Sequence, residues 1–334
     1  GRGLRGDRDG PGDGRRPETA GGPRSMSAPG ADGLDVVVVA YGPADSLAGC
    51  LSALGRGPQV LVVDNSSSPQ TAAVAGDHGA RYIDPGANLG FGAAVNLALE
   101  HRKAGGQDGG PGSGGGGQRD VLLLNPDARI GPDAVARLRA VLDAHTDVAC
   151  AAPAQHAPGS DVAMRARWPW HTPAGAWAEA VGLTRRRLAS SRYFVGGAVL
   201  LVRGAALDDV GRFDERFFLY SEDEDWERRA VRRGWTVRYC PDITAEHAGG
   251  GTDASRTRVR LRLHAAIERY VRKWYGSLGW AVFRAGTLVG LGVRVAARRG
   301  AHRRSAVALC RLYLEGPDRA ARRTGAVPPP INGP

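Results

Sequence analysis

Three short runs, LDVVVVAYG (residues 34–42), QVLVVDNSS (59–67) and DVLLLNPDA (120–128), limit what this chain can fold into more than any other feature. A strand with one face in water alternates apolar and polar residues, whereas a strand covered on both faces is apolar throughout. These runs are of the second kind, and each stops abruptly in polar residues. Helical patterns lie between them, through Leu47, Leu51 and Leu54 and from Pro132 to about His145. Strands alternating with helices predict an α/β fold, a doubly wound, mainly parallel sheet flanked by helices. Such sheets bind ligands beyond the carboxyl ends of their strands, and Tyr41, Asp64 and Asp127 all fall at that edge.

The first 33 residues are Gly, Arg, Asp and Pro with almost nothing apolar. They cannot bury enough surface to offset their ordering entropy and are expected to be disordered. Residues 104–119 are too Gly-rich to pack and predict a mobile surface loop. A catalytic domain is therefore expected over 34–255, with YFVGGAVLLVR (193–203) and WTVRYCP (235–241) as further strands. From 256 to about 325 the chain reads as basic helices, and 326–334 as a disordered tail.

Charge is segregated in the same way. The chain carries +11, but residues 256–323 hold 17 Arg or Lys against three acids, so the remainder is slightly acidic. A basic helical segment suits an anionic membrane surface, and equally a solvated helix face. It lacks the aromatic interleaving of a single-strand binding platform and any DNA-reading motif, so nucleic acid is not an expected partner. Within it, the apolar run Ala281–Val295 lies near Trp274, Tyr275, Trp280 and Phe283 and is interrupted by Arg284 and Arg294. It is shorter and more polar than a spanning helix requires; an interfacial helix carrying those aromatics and an ordinary packed helix both fit. The four cysteines, Cys50, Cys150, Cys240 and Cys310, are isolated, and no secretory signal opens the chain. A disulfide framework or zinc site is not expected, and a cytoplasmic location, peripheral on the inner face of the membrane, is.

The chemistry-bearing residues have ordinary readings too. Asp127 ends a buried strand, where a carboxylate can hold a divalent cation bridging two phosphates; NPD is also a good turn. Asp64-Asn65-Ser66 carries the same ambiguity. In FLYSEDEDW (218–226), Ser221 and Glu224 have the spacing of a capping box, and acids near a helix N-terminus are favoured by its dipole. Glu222 and Asp223 are left over, and a carboxylate kept ionised there can act as a general base. His247 precedes a glycine run whose backbone can approach a phosphate.

Together VVVAYG, VLVVDNSS, ANLGFGAAVN, LLLNPDA, FVGGAVLLVR, VGRFDERFFLYSEDEDW and EHAGGGT follow in the order and spacing that make residues 34–252 resemble bacterial family 2 glycosyltransferases. The likeness is greatest to the rhamnosyltransferase-like branch acting on cell-wall or polysaccharide precursors. It implies the inverting GT-A fold with a mixed, mainly parallel sheet, a nucleotide-sugar donor with dTDP-rhamnose favoured, Mg²⁺ or Mn²⁺, and a glycan or polyprenyl-diphosphate-linked acceptor. It also implies residue roles. Asp223, second of the Glu222–Asp223 pair, is the catalytic base. Asp127 stands at the last acid of the metal-binding DXD, with His247 as second ligand or diphosphate contact. Tyr41, Asp64, Asn65, Asn88 and Gly90 lie along the nucleotide, and Gly196, Gly197 and Ala198 line the sugar pocket. Independently of the resemblance, Arg165 and Arg167 beside Trp168 are the candidate contacts to the phosphates of a lipid-linked acceptor. Two departures stand out: Gly42-Pro43 replaces a polar residue after Tyr41, and Asn125-Pro126-Asp127 lacks the first acid of DXD. A nucleotidyltransferase would share the sheet and the acids but needs a basic Gly-rich signature, and AYGPADS has no Arg or Lys.

Overall fold

A computed structural model describes residues 34–104, 119–183, 193–249 and 256–328. The expectations for the first 33 residues, for 105–118, for Gly250–Thr252 and for 329–334 lie outside the described residues.

The apolar runs form β1 (Leu34–Ala40), β2 (Gln59–Asp64) and β4 (Asp120–Leu124), with the short β3 (Arg81–Ile83) and β5 (Ala128–Arg129). Next come β6 (Val148–His156), β7 (Ala163–Met164), β8 (Arg167–Pro169), β9 (Tyr193–Val195), β10 (Val199–Val202) and β11 (Thr236–His247). Nine strands make one sheet in the order β3-β2-β1-β4-β10-β6-β11-β5, with β7 on the side of β6. β1 is parallel to β2 and β4, and β6 to β11, while β10 runs antiparallel between β4 and β6. The sheet is therefore mixed and mainly parallel, and β1, β2, β4, β6 and β11 all end at one edge.

Alternate residues of β1 explain its unbroken apolarity. Val36 and Val38 pack with Leu47, Leu51 and Leu54 of α1 (Ala44–Leu54) and Leu138 and Leu142 of α4 (Pro132–Ala144). Val37 and Val39 pack on the other side with α3 (Phe91–Ala104), α6 (Gly204–Val210) and Trp226 of α7 (Glu222–Arg232). Two shorter helices, α2 (Pro69–Asp77) and α5 (Pro173–Ala180), complete this part.

Two expectations change. YFVGGAVLLVR is two strands, not one: β9 pairs with β8 in a separate two-stranded sheet, and β10 enters the main sheet. Gly196-Gly197-Ala198 makes the crossing, with the Gly196 N–H donating to Ala166 O at 3.1 Å. The tail expected disordered from 326 is ordered through Pro328, because Ala326 and Val327 are buried against Ala265 and Ala321.

The C-terminal part consists of α8 (Arg256–Ala297), broken at Gly276 by a φ of 68°, α9 (Gly300–Glu315) and α10 (Pro317–Arg323). It shares a core with the sheet part: Tyr270, Val271, Trp280, Phe283 and Tyr313 pack with Phe217 and Ala176. Of the two arrangements that fit the sequence, these aromatics take the packed one, since Trp280 and Phe283 are 3% and 6% exposed and Trp274 and Tyr275 pack against this cluster. Burying their large apolar area gains more against α5 and α9 than at a water-exposed face.

Candidate active site

The carboxyl-end edge of the sheet gathers most of the residues singled out above. Tyr41 follows β1 and is 39% exposed there. Asp64, last residue of β2, is fully buried. Its Oδ1 accepts hydrogen bonds from the Ser66 N–H and hydroxyl at 2.9 and 2.5 Å, and its Oδ2 from the Ser68 N–H and Tyr82 hydroxyl at 2.7 and 3.1 Å. Both oxygens are thus engaged within the protein, and Asp64 shapes the loop after β2. Asn65 reaches across to the Asn88–Gly90 loop, donating to Gly90 O at 3.0 Å and accepting from the Leu89 N–H at 3.2 Å. Asn88 accepts from the Gly90 N–H at 3.0 Å. Gly90 has a φ of 82°, and a Cβ there would lie 1.9 Å from Phe218 O, so no other residue fits between these loops.

The Gly196–Ala198 crossing touches three parts of the site at once. Ala198 O accepts from the Asn125 N–H at 2.9 Å, which seats the Asn125-Pro126-Asp127 turn. The Gly197 N–H donates to Asp223 Oδ2 at 3.0 Å. Trp168 covers Gly196, where a Cβ would meet its ring at 2.8 Å. Trp168 stacks on Phe194 at 5.8 Å, the exposed Arg165 guanidinium lies over Trp168, and Arg167 lies over Tyr193 and Tyr239. The proposed sugar-pocket and acceptor residues are therefore neighbours.

Asp127 and His247 meet from β-strand ends far apart in sequence. His247 Nε2 is 3.3 Å from Asp127 Oδ1, with both side chains about five-sixths enclosed, and Ala248 N–H donates to Asp127 O at 3.2 Å. One carboxylate and one imidazole suit a divalent cation that takes its remaining ligands from substrate oxygens and water. Among the described residues no group of three or more His, Cys, Asp or Glu is clustered for a metal, so the pair fits a cation that arrives with a diphosphate.

The acids of α7 separate by direction. Successive helix residues turn by about 100°, and each acid meets a different neighbour. Glu222 is 5% exposed, lies against Gly92, and has Oε2 buried without a partner among the described residues. Asp223 stays partly exposed, accepting from the Gly197 and Glu224 N–H groups. Glu224 is fully buried and accepts from both the N–H and Nδ1 of His171 at 2.7 Å. Asp225, also fully buried, takes Lys273 Nζ at 2.6 Å, the Trp274 indole N–H at 2.9 Å and Arg229 at 3.0 Å. Glu227 accepts from the Val195 N–H at 2.9 Å.

Two expectations about this run are corrected. Ser221 and Glu224 form no capping box: Tyr220 and Ser221 are left-handed, with φ of 72° and 62°. An N-cap hydroxyl needs extended backbone to reach the N–H groups it caps, and Ser221 makes no such bond. Nor is Asp223 held as an ordinary carboxylate by the helix dipole. Burial pushes its pKa up to about 6, against the pull of the Glu224 and Gly197 N–H groups. Burial and the Asp223 charge push the pKa of Glu222 well above the usual carboxylate range as well.

His171, Glu227 and Lys273 were not singled out from the sequence. His171 is drawn into its charged form because, although burial opposes it, the charge and hydrogen bond of Glu224 outweigh burial. A lone histidine in a Trp- and Pro-rich stretch carries no signal of a partner 53 residues away.

The mixed, mainly parallel sheet carries Asp127 with His247 and Asp223 with the Gly197 N–H at its carboxyl-end side, and its fold is that of the GT-A glycosyltransferases. A family model described as glycosyl transferase family group 2 matches residues 121–315, and one described as glycosyl transferase family 2 matches residues 35–192. The chain belongs to the bacterial family 2 glycosyltransferases and is rhamnosyltransferase-like. It is 29% identical to an N-acetylglucosaminyl-diphospho-decaprenol L-rhamnosyltransferase of Mycobacterium tuberculosis, over 75% of this chain and 89% of the relative. To a low-salt glycan biosynthesis hexosyltransferase of Haloferax volcanii it is 22% identical, over 65% of this chain and 67% of that one. Among solved structures, a mannosyltransferase of Pyrobaculum calidifontis in complex with GDP-Man and Mn²⁺ has the same fold. The TM-score is 0.53 at 15% identity, covering 90% of this chain and 87% of that one.

Proposed function

We propose that this glycosyltransferase moves a sugar, L-rhamnose from dTDP-rhamnose in the leading reading, onto a hydroxyl of a polyprenyl-diphosphate-linked or glycan acceptor with inversion. The observation that carries it is Asp223. It is a partly exposed carboxyl with a pKa near 6, held by two backbone N–H groups and next to the Gly196–Ala198 crossing, whose far end seats Asp127. A general base works best when its pKa lies near the working pH. Asp223 takes the proton of the acceptor hydroxyl as that oxygen attacks the anomeric carbon. The bond from that carbon to the diphosphate breaks on the opposite face, and the proton leaves Asp223 to solvent afterwards.

Asp127 and His247 would hold Mg²⁺ or Mn²⁺, which when bound neutralises the charge of the departing diphosphate. Asn65, through the Asn88–Gly90 loop, and Asp64, through the Ser66–Ser68 loop, shape the nucleotide side, with Tyr41 at its rim. Gly197 and Ala198 leave room for the sugar beside Asp223. Arg165 and Arg167 with Trp168 receive the acceptor's phosphates. The mycobacterial relative's name describes rhamnosyl transfer to a lipid-linked N-acetylglucosaminyl diphosphate, which supports both the sugar and the acceptor class. Such an acceptor supports a peripheral position on the inner face of the membrane.

The deciding experiment is a transfer assay across dTDP-, UDP- and GDP-sugars with Mg²⁺ or Mn²⁺ and N-acetylglucosaminyl-diphospho-polyprenol. Anomeric configuration of the product is read by NMR. Turnover with dTDP-rhamnose and an inverted linkage is the expected result. Transfer from another nucleotide sugar alone, or retention, overturns it.

A further inference from the structure

Beyond its break at Gly276, α8 is apolar on two faces, and one of them is in water. Trp280, Phe283, Gly286 and Leu291 are buried. On the other face Leu278, Val282, Val289 and Val293 are 78%, 41%, 47% and 55% exposed. At about 100° per residue these four fall within an arc of about 60°, along about 25 Å of helix. Ala281, Ala285, Gly292 and Ala296, which widen the arc to about 120°, are exposed as well. The arginines of this stretch are held on the flanks, Arg284 on Leu314 O at 2.7 Å and Arg294 on Glu179 at 2.6 Å.

α5 widens the stripe. Its Trp177 indole N–H donates to Val282 O at 3.1 Å, and Trp177, Val181 and Leu183 at its end are 41%, 66% and 48% exposed. Gly286 and Gly290 permit this close crossing, since a Cβ at either would lie 2.9 Å from Trp177 or 3.1 Å from Ala180. Contiguous exposed apolar surface of this kind marks an interaction site.

Charge identifies what covers it. Past the end of the stripe stand Arg298, Arg299, Arg303 and Arg304, all exposed. No acid occurs between Glu268 and Glu315. On α8 the stripe carries no acid and runs into exposed arginines, and Glu179 of α5 beside it is paired with Arg294, which matches the acyl boundary and anionic head groups of a lipid surface. By length and composition alone α8 could cross a membrane, but one side of it is packed on α5 and α9 in a core shared with Phe217 and Ala176, which suits a helix lying in the interface rather than crossing it.

We propose that this face is a docking surface for an anionic bilayer, with the second half of α8 lying in the plane of the interface. The docking stands apart from the sugar-transfer reading; its use, described next, rests on that reading. α5 starts two residues after His171, which holds Glu224 beside Asp223. Its eight residues span about 12 Å. A diphosphate anchored in the docked bilayer is thereby presented near Asp223 without leaving the membrane.

The test is co-sedimentation of the full chain with phosphatidylcholine vesicles, with and without phosphatidylglycerol. The parent should pellet with the anionic vesicles and be released by salt, each arginine near the surface contributing about five-fold in partitioning. Leu278→Glu, and separately Val289→Asp with Val293→Asp, should lower partitioning by about ten-fold or more. Replacing Arg298, Arg299, Arg303 and Arg304 by Glu should abolish the preference for anionic lipid. All variants should keep the parent's circular dichroism and its turnover on a short, water-soluble acceptor. A parent that stays in solution, or stripe variants that pellet like the parent, overturn the proposal. So does light scattering that shows a lipid-indifferent dimer broken by the stripe variants, which would make the face a contact between two copies. Vesicle binding without sugar transfer would leave the docking intact and refute the acceptor reading.

Discussion

Replacing Asp223 by Asn separates the base from the frame that holds it. The side chain keeps its shape but can no longer take a proton, and removal of a positioned general base costs about 10²–10⁴-fold in turnover. The same change acts on stability through the raised pKa. Burial lifts this carboxyl from 3.8 to about 6, so the folded protein holds its proton more tightly than the unfolded chain. Stability therefore falls as pH rises from about 4 through 6, and at neutral pH the ionised carboxylate costs the fold about 3 kcal/mol. Asn removes that cost. It introduces another, because its amide must face either the Gly197 N–H at 3.0 Å or the Glu224 N–H at 2.8 Å, donor against donor. That loss is about 1–3 kcal/mol, so the variant should be nearly as stable as the parent at pH 7 and relatively less stable at pH 4. The assay is kcat and kcat/KM from pH 4.5 to 8.5 beside thermal denaturation over the same range. The parent's rate should fall about ten-fold per pH unit below pH 6, and the variant's residual rate should lack that limb. A variant with more than about a tenth of parental turnover, or a parent without the limb near 6, refutes the assignment of Asp223 as base.

Asp127→Ala should abolish Mn²⁺-dependent binding of the nucleoside diphosphate and His247→Ala should weaken it less; calorimetric titration with and without Mn²⁺ reads this, and metal-independent binding of unchanged strength in the Asp127 variant counts against the pair. Glu224→Gln should cost mainly stability, because it breaks the buried bond to His171, while turnover falls much less than in Asp223→Asn. Its penalty should be larger below pH 6.5 than in alkaline solution, since a histidine with a raised pKa stabilises the fold while charged and loses that contribution as pH rises through its folded value; a penalty independent of pH would contradict the charged pair. Arg102→Ala should destabilise by about 3–5 kcal/mol in denaturant titrations, because it leaves the fully buried Asp35, now 3.1 Å from the guanidinium, without that charge; a loss under about 1 kcal/mol would mean that Arg119, at 3.7 Å, suffices alone.

The sequence by itself determined the α/β class and the edge at which the chemistry sits. Val36 to Val39 are apolar because both sheet faces are covered, and that pattern is local, so it can be read from neighbours in the chain. The polar ends Asp64 and Asp127 follow from it, and the motif order made the family resemblance legible. The tertiary structure alone decided which acid of Glu222–Asp225 does what. A helix turns consecutive side chains onto different faces, so the role of each depends on whatever the fold places opposite. Glu224 meets His171 53 residues earlier in the chain. Asp225 meets Trp274 49 residues later, and Asp223 meets an amide freed where a single apolar run splits into β9 and β10. Likewise, the sequence left open which face of α8 packs; packing on α5 and α9 buried Trp280 and Phe283 and left Leu278, Val282, Val289 and Val293 in water. Burial of the larger aromatic area is the stronger driving force, and which face of a two-sided apolar helix it claims depends on where its partners lie.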